Sequence, residues 1–257
     1  MLKEQTMSKK IGLALGGGAV LGAAHVGVLR ALEEFDYEIT HVSGTSIGSL
    51  VASLVAFGKS WEEIQDIALN LNWLQAARLK ISKLGLLSIE KLGDSIIEMI
   101  GDVTFEEARI PLCMVATDIS NGERIVLSSG SVPHSIMASC CIPGVFAPLE
   151  LNGRKLVDGG IVENVPILAL KEQGVSPIIG IDLISHHAHR EPTSMIEVLI
   201  NSFAFTVSRA VRMAIDAKDV RLISPELSEF NSIDTRQIPE LIERGYRDAM
   251  EILNTMR

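Results

Sequence analysis

The sequence predicts an α/β fold, a three-layer α/β/α sandwich with a mainly parallel central sheet. Three observations carry that prediction. The apolar run Ile11–Leu15, the helical pattern Ala23–Glu34 and the β-branched run Ile39–Ser43 form a strand–helix–strand unit, whose right-handed crossover makes its strands parallel. Glycine-rich turns, Gly16–Gly22 and Gly44–Gly48, follow both strands. Apolar runs then alternate with helical patterns to the end of the chain, with no repeat, Pro-rich linker or low-complexity tract between them. A chain of 257 residues with 47% hydrophobic content can fill the core of one such domain over 11–257, preceded by a polar, flexible N-terminus over 1–10.

Taken in order, Gly16–Gly22 is expected as a loop. In Ala23–Glu34 the residues Val26, Leu29, Ala31 and Leu32 are apolar at helical spacing, with Arg30, Glu33 and Glu34 polar between them. Ile47–Phe57 is rich in Ala, Leu and Val and lacks Pro, and Gly58 stops it. Ser60 with Glu63 three residues on is a capping box opening a helix to about Asn70. Leu71–Leu87 interleaves Trp73, Leu74, Leu79, Ile81, Leu84, Leu86 and Leu87 with Arg78, Lys80 and Lys83. It reads as a cover over the site with the make-up of an interfacial segment, a buried core helix being the alternative. Ser88 is expected to cap a helix to about Ile100. Leu112–Ile119 pairs with Arg124–Leu127 across Ser120-Asn121-Gly122, Val132–Ser139 is a short helix, and Leu149–Leu151 with Lys155–Val157 is a hairpin about Asn152-Gly153. A helix over Pro166–Gln173, a buried strand over Pro177–Leu183, a long helix over Thr193–Lys218, a strand over Val220–Ile223 and a helix over Gln237–Thr255 complete the chain.

A net charge of −9 and only 4% aromatic residues argue against nucleic acid as a partner. Three cysteines, two of them adjacent (Cys140, Cys141), make a poor disulfide framework and suit a reducing cytoplasm. Ile11–Leu29 imitates a signal peptide behind Lys9 and Lys10. Gly16-Gly17-Gly18 at its middle is a poor helix centre and no clean cleavage site follows, so a cytoplasmic location is expected. Nothing in the sequence fixes an oligomeric state.

Gly44-x-Ser46-x-Gly48, between a strand and a helix, is the nucleophile-elbow pattern, in which a strained Ser stands at a helix N-terminus. An ordinary helix-capping turn is its structural alternative. Gly16-Gly17-Gly18-Ala19-Val20-Leu21-Gly22 leaves backbone N–H groups open to an anion. The dinucleotide fingerprint fails at Leu21 and the phosphate-loop pattern fails at Ala23-Ala24. An oxyanion hole beside a nucleophile and a tight turn both remain. Asp158-Gly159-Gly160 reads either as an Asp-Gly turn or as a general base for Ser46, one that partial burial would strengthen. His186-His187-x-His189 fits a polar loop better than a metal site, so no metal or cofactor is expected.

The three motifs in this order resemble the patatin-like phospholipase family, and within it the bacterial proteins similar to neuropathy target esterase. Leu15–Leu29, Ala116-Thr117-Asp118 with Gly122-Glu123, Ala138-Ser139 with Ile142-Pro143-Gly144, and Asn164-x-Pro166 also match, so the resemblance runs from about Ile11 to Asp182. It implies a patatin-like sandwich and a serine hydrolase of lipid or fatty-acyl esters; the make-up of Leu71–Leu87 adds the expectation that the protein touches membrane only peripherally. It implies a Ser46–Asp158 dyad without histidine, and an oxyanion hole at Gly17, Gly18 and Ala19 supported by Gly16, Gly22, Gly44, Gly48, Gly159 and Gly160. One departure stands out: Leu21 occupies a position where the family usually has Arg or Lys. Either the missing cation slows the reaction, or Leu21 packs in the core. A weakly active acyl-binding regulator and a nucleotide-binding protein are the rival functions.

Overall fold

The computed structural model describes residues 8–70, 78–82, 85–186, 195, 198–199, 201–202, 205 and 218–255. An eight-stranded mixed sheet forms its centre, in the order β10-β9-β1-β2-β5-β8-β7, with β6 on β5. Five strands are mutually parallel: β1 (Lys9–Leu15), β2 (Tyr37–Thr45), β5 (Leu112–Asp118), β9 (Ile178–Ile181) and β10 (Val220–Ile223). Three more pair antiparallel with a neighbour: β6 (Glu123–Leu127) and β8 (Arg154–Asp158) with β5, and β7 (Leu149–Leu151) with β8. Their turns are the short polar ones read from the sequence, including Asn152, which takes a positive φ of 51° as Asn readily does.

Alternation along the strands divides the core in two. Ile11, Leu13 and Leu15 of β1, Leu112, Met114 and Ala116 of β5, and Ile179 and Ile181 of β9 face the larger cluster. There they meet α1 (Ala24–Glu34), α2 (Ile47–Ala56), α5 (Val132–Ser139) and α8 (Ile238–Thr255). Ala14, Cys113, Val115 and Ile178 face the thinner layer, built on Val165 and α7 (Ile167–Lys171). Other helices among the described residues are α3 (Trp61–Asn70), α4 (Glu90–Ile100) and the short α6 (Gly160–Glu163).

Helix α1 crosses α8 unusually closely. A methyl group on Gly27 would lie 2.0 Å from the Ile242 carbonyl oxygen, and one on Gly245 would lie 2.2 Å from that of Ala24. The α3 capping box forms as read: Glu63 N–H donates to Ser60 Oγ at 3.3 Å and Ser60 N–H to Glu63 Oε2 at 2.9 Å.

The turn after β1, the stretch after α3 and the cap of α4 differ from expectation. Part of the Gly16–Gly22 stretch is a 3-10 turn, Ala19–Ala23, because the fully buried Leu21 and a Val20 N–H bond to Ser232 O at 3.0 Å pull the chain in tightly. Within Leu71–Leu87, β3 (Arg78–Ser82) and β4 (Gly85–Ser88) pair antiparallel as a separate two-stranded sheet, which excludes the core-helix alternative for them. The alternation of Arg78-Leu79-Lys80-Ile81-Ser82 is the period-two signal for this. Residues 71–77 and 83–84 of the expected cover lie outside the described residues. Ser88 ends β4, so the N-cap of α4 is Ile89. Most of the expected Thr193–Lys218 helix lies outside the described residues, while Met195, Val198, Leu199, Asn201, Ser202 and Phe205 of it are helical. Among the described residues no helix is long and apolar enough to cross a membrane.

Candidate active site

Strand β5 assembles the site along one of its edges. Thr45, the last residue of β2, lies opposite Val115, and Asp158, the last of β8, lies opposite Ala116. Strand β6 pairs over Met114–Asp118 and so occupies the other edge. β2 and β8 therefore meet end to end, and the residue after Thr45 is Ser46.

Ser46 stands between β2 and α2 with φ 54° and ψ −130°, the strained turn of an elbow. Such a backbone costs about 1–3 kcal/mol and persists only where the surroundings hold it. Three bonds do so. Ser139 Oγ accepts Ser46 N–H at 2.9 Å and donates to Val115 O at 2.7 Å, and Ser49 Oγ donates to Ser46 O at 2.6 Å. Gly44 and Gly48 lie back to back across the turn: a Cβ on Gly44 would sit 2.3 Å from the Gly48 carbonyl oxygen. Gly48 is equally tight against Leu15 O, at 2.1 Å.

Asp158 is fully buried. Its Oδ1 accepts Gly160 N–H at 2.8 Å, its own N–H donates to Cys141 O at 2.8 Å, and Gly159 packs on Val115. Burial pushes the carboxyl up to about 7, against the opposing pull of the Ser46 hydroxyl and the Gly160 amide. The Ser46 contact is looser than a formal hydrogen bond, and Oδ2 is left without a partner of good geometry. Catalytic hydrogen bonds are often long in substrate-free enzymes.

The glycine-rich loop runs alongside. A methyl group on Gly17 would lie 3.0 Å from Ser46 Cβ and 2.8 Å from Asn164 Oδ1. Gly16 N–H donates to Ile181 O at 3.0 Å, and Gly22 packs on Ile47. The Gly17 N–H, expected as an oxyanion donor, is already engaged by Asn164, at 3.2 Å to Oδ1 and 3.4 Å to the carbonyl oxygen. Among the described residues the Gly18 and Ala19 amides have no partner. Leu21 is fully buried in the larger core cluster, which favours the packing account: a cation there would be an unpaired buried charge.

Several residues around the site were matched in the sequence without a role, or not singled out at all. His25 donates Nε2–H to Gly16 O at 2.8 Å; burial lowers its pKa to about 4, so the ring is neutral and positions the loop. Asn164 follows Glu163, whose carbonyl oxygen accepts from Thr45 Oγ1 at 2.9 Å and whose carboxylate is held by Arg124 at 2.8 Å. This turn after Asp158-Gly159-Gly160 thus ties the loop to the elbow. Cys140 lies beside Ser46 and Ser49; burial first, then the Asp158 charge, pushes its thiol well above the usual range, so it remains protonated. The only sequence hint for these residues was position: Ser139 before two cysteines at a helix end, and Asn164-x-Pro166 just beyond the Asp-Gly-Gly. Among the described residues no three His, Cys, Asp or Glu gather as metal ligands; His187 and His189 lie outside them.

Solved structures share this architecture. VipD from Legionella pneumophila superposes with a TM-score of 0.57 at 15% identity, covering 99% of this chain and 72% of that one. ExoU of Pseudomonas aeruginosa, solved with SpcU, gives 0.55 at 14% identity, covering 96% and 53%. At the sequence level the profile described as patatin-like phospholipase matches residues 13–171, and the chain belongs to that family. An uncharacterized NTE family protein of Mycobacterium tuberculosis is 35% identical over 178 residues, covering 68% of this chain and 47% of the relative. Lysophospholipase NTE1 of Mycosarcoma maydis is 28% identical over 286 residues, covering 98% of this chain and 15% of its own length. The chain thus spans half or less of the length of these relatives.

Proposed function

We propose that the protein is a serine hydrolase of lipid carboxylic esters, with Ser46 as nucleophile and Asp158 as the only general base. The observation that carries this is a fully buried carboxyl, pushed up to about 7, facing a serine held on a strained elbow. At that pKa the carboxyl exists in both protonation states near neutral pH, as a group that takes and returns a proton requires. The Ser46 Oγ–carbon bond forms as its proton passes to Asp158, and the carbonyl electron pair moves onto oxygen. The resulting oxyanion is received by the free amides of Gly18 and Ala19, while Gly17 holds the loop through Asn164. Collapse breaks the ester C–O bond, and Asp158 returns the proton to the leaving alkoxide. Water, deprotonated by Asp158, then attacks the acyl carbon; the bond to Ser46 Oγ breaks, and Asp158 returns the proton to Ser46 as the acid leaves. The lysophospholipase name of NTE1 and the family membership support a lipid ester as substrate.

Treatment with a fluorophosphonate, followed by mass spectrometry, is expected to give a single adduct, on Ser46. An adduct elsewhere, or ester and phospholipid hydrolysis that survives in Ser46→Ala, overturns the assignment.

A further inference from the structure

Gly16-Gly17-Gly18 has no side chain to fix it, and successive glycines leave each peptide plane free to turn. The main chain ties the loop at two points: Gly16 N–H donates to Ile181 O at 3.0 Å, and Val20 N–H to Ser232 O at 3.0 Å. Between them, the peptide joining Gly16 to Gly17 is gripped from both sides. His25 Nε2–H donates to its carbonyl oxygen at 2.8 Å. Asn164 accepts its N–H, at 3.2 Å on Oδ1 and 3.4 Å on the main-chain oxygen. The C=O and N–H of a trans peptide point opposite ways, so the two contacts fix the plane. His25 is fully buried and Asn164 nearly so. Among the described residues, each leaves its other polar atom buried without a partner, Nδ1 of His25 and Nδ2 of Asn164. Orphaned polar atoms destabilise a fold, so two of them beside one loop call for a reason other than stability.

We propose that His25 and Asn164 are paired positioning residues: together they lock the Gly16–Gly17 peptide and so hold the Gly18 and Ala19 amides ready for the oxyanion. The inference rests on Ser46 as nucleophile. Those two amides directly follow the gripped peptide in the chain. Ala19 also takes φ 51°, a left-handed backbone uncommon outside glycine, so its amide stays aimed only while the loop is constrained. The locked plane stands against the nucleophile, since a methyl group on Gly17 would lie 3.0 Å from Ser46 Cβ. Burial lowers the His25 pKa to about 4, so the ring is neutral and acts as a directed donor without charge. Donors aimed in advance need no reorganisation when charge develops, and each is worth about 10²–10³ in kcat. Loosening them without removing them costs less than that. The loss falls on kcat and not on KM, because the oxyanion exists only beyond the ground state.

His25→Leu and Asn164→Leu each remove one grip; Leu has roughly the volume of His and the branching of Asn. With p-nitrophenyl acetate, each is expected to lower kcat about tenfold or more while KM changes by less than about threefold. Either loss frees the same plane, so the double variant should be little slower than the singles, where independent losses would multiply. His25→Gln, whose side-chain N–H reaches about as far as Nε2–H, should recover most of the His25→Leu loss. Multiplying losses, a Gln variant as slow as the Leu variant, or an unchanged kcat in both Leu singles overturns the proposal. The native chain gives a readout that needs no variant to fold. By NMR, its Gly17 amide should exchange with deuterium about tenfold more slowly than the amides of Gly18 and Ala19. Equal rates at the three amides overturn the grip. Hydrolysis that vanishes in Ser46→Ala but keeps its rate in the Leu variants would sink the grip and leave the nucleophile standing. A slow Gly17 amide with hydrolysis that survives Ser46→Ala would do the reverse.

Discussion

The Asp158 carboxyl, buried beside Ser46 and bonded to Gly160 N–H, sets the pH behaviour of the site. In the proposed mechanism its ionised form is the base, so kcat/KM is expected to rise with pH through about 7 and then level off. Asp158→Asn keeps the shape, loses the proton acceptor and should cost about 10²–10⁴-fold in kcat. The same change should raise the melting temperature at pH 8, because the native chain then holds a desolvated charge. Moving a carboxyl from its ordinary 3.8 to about 7 corresponds to a cost on the order of 4 kcal/mol, and the advantage of Asn should shrink as pH falls to 5. Ser139 acts on the other side of Ser46. Ser139→Ala leaves Ser46 N–H without its acceptor and Val115 O without its donor. It should lower stability by about 1–3 kcal/mol in denaturant melts, and kcat more than KM, since the elbow loses its anchor.

Among the elements, the crossing of α1 on α8 is the tightest packing described. Gly27→Val would drive a side chain into the Ile242 carbonyl at 2.0 Å, and α8 cannot yield without leaving the core. Loss of at least 3 kcal/mol is expected, read as a lower urea midpoint at unchanged fluorophosphonate labelling of the folded fraction. That crossing was invisible in the sequence: Gly27 and Gly245 look like helix-weakening residues until the two helices are seen to touch there. What was legible is local. The β1–α1–β2 unit, the Ser60 capping box, the Val132–Ser139 helix and the turns at Asn121-Gly122 and Asn152-Gly153 each follow from a period, a cap or a turn residue in one stretch. The β3–β4 pair was missed because its alternation is interrupted by Lys83 and Leu84 and its apolar content suggested a helix. At the site, Ser46 and Asp158 declared themselves through the glycines around them. Ser139, His25, Asn164 and Cys140 act through contacts made between separate elements, and no spacing rule reaches those.

For the whole molecule, two buried titratable groups pull stability in opposite directions. His25 stays neutral when folded and charges when unfolded, so the native state gains stability as pH rises from about 4 to 6.5. Asp158 stays protonated when folded and ionises when unfolded, so the native state loses stability between about 3.8 and 7. Each slope is about 1.4 kcal/mol per pH unit where both limits hold, and together they nearly cancel. His25→Gln is expected to remove one and expose the other: its melting temperature should fall from pH 5 to 6.5 more steeply than that of the native chain. Parallel slopes in the two proteins would show that His25 titrates normally in the folded chain. The common edge of β5 has a consequence of another kind. Because Thr45, which precedes the proposed nucleophile, and Asp158, the proposed base, pair with neighbouring residues of β5 in mid-sheet, no small opening can part them. Deuterium uptake at the Val115 and Ala116 amides should therefore be among the slowest in the protein. On heating, catalysis should disappear together with the sheet itself, with no inactive but otherwise folded form in between.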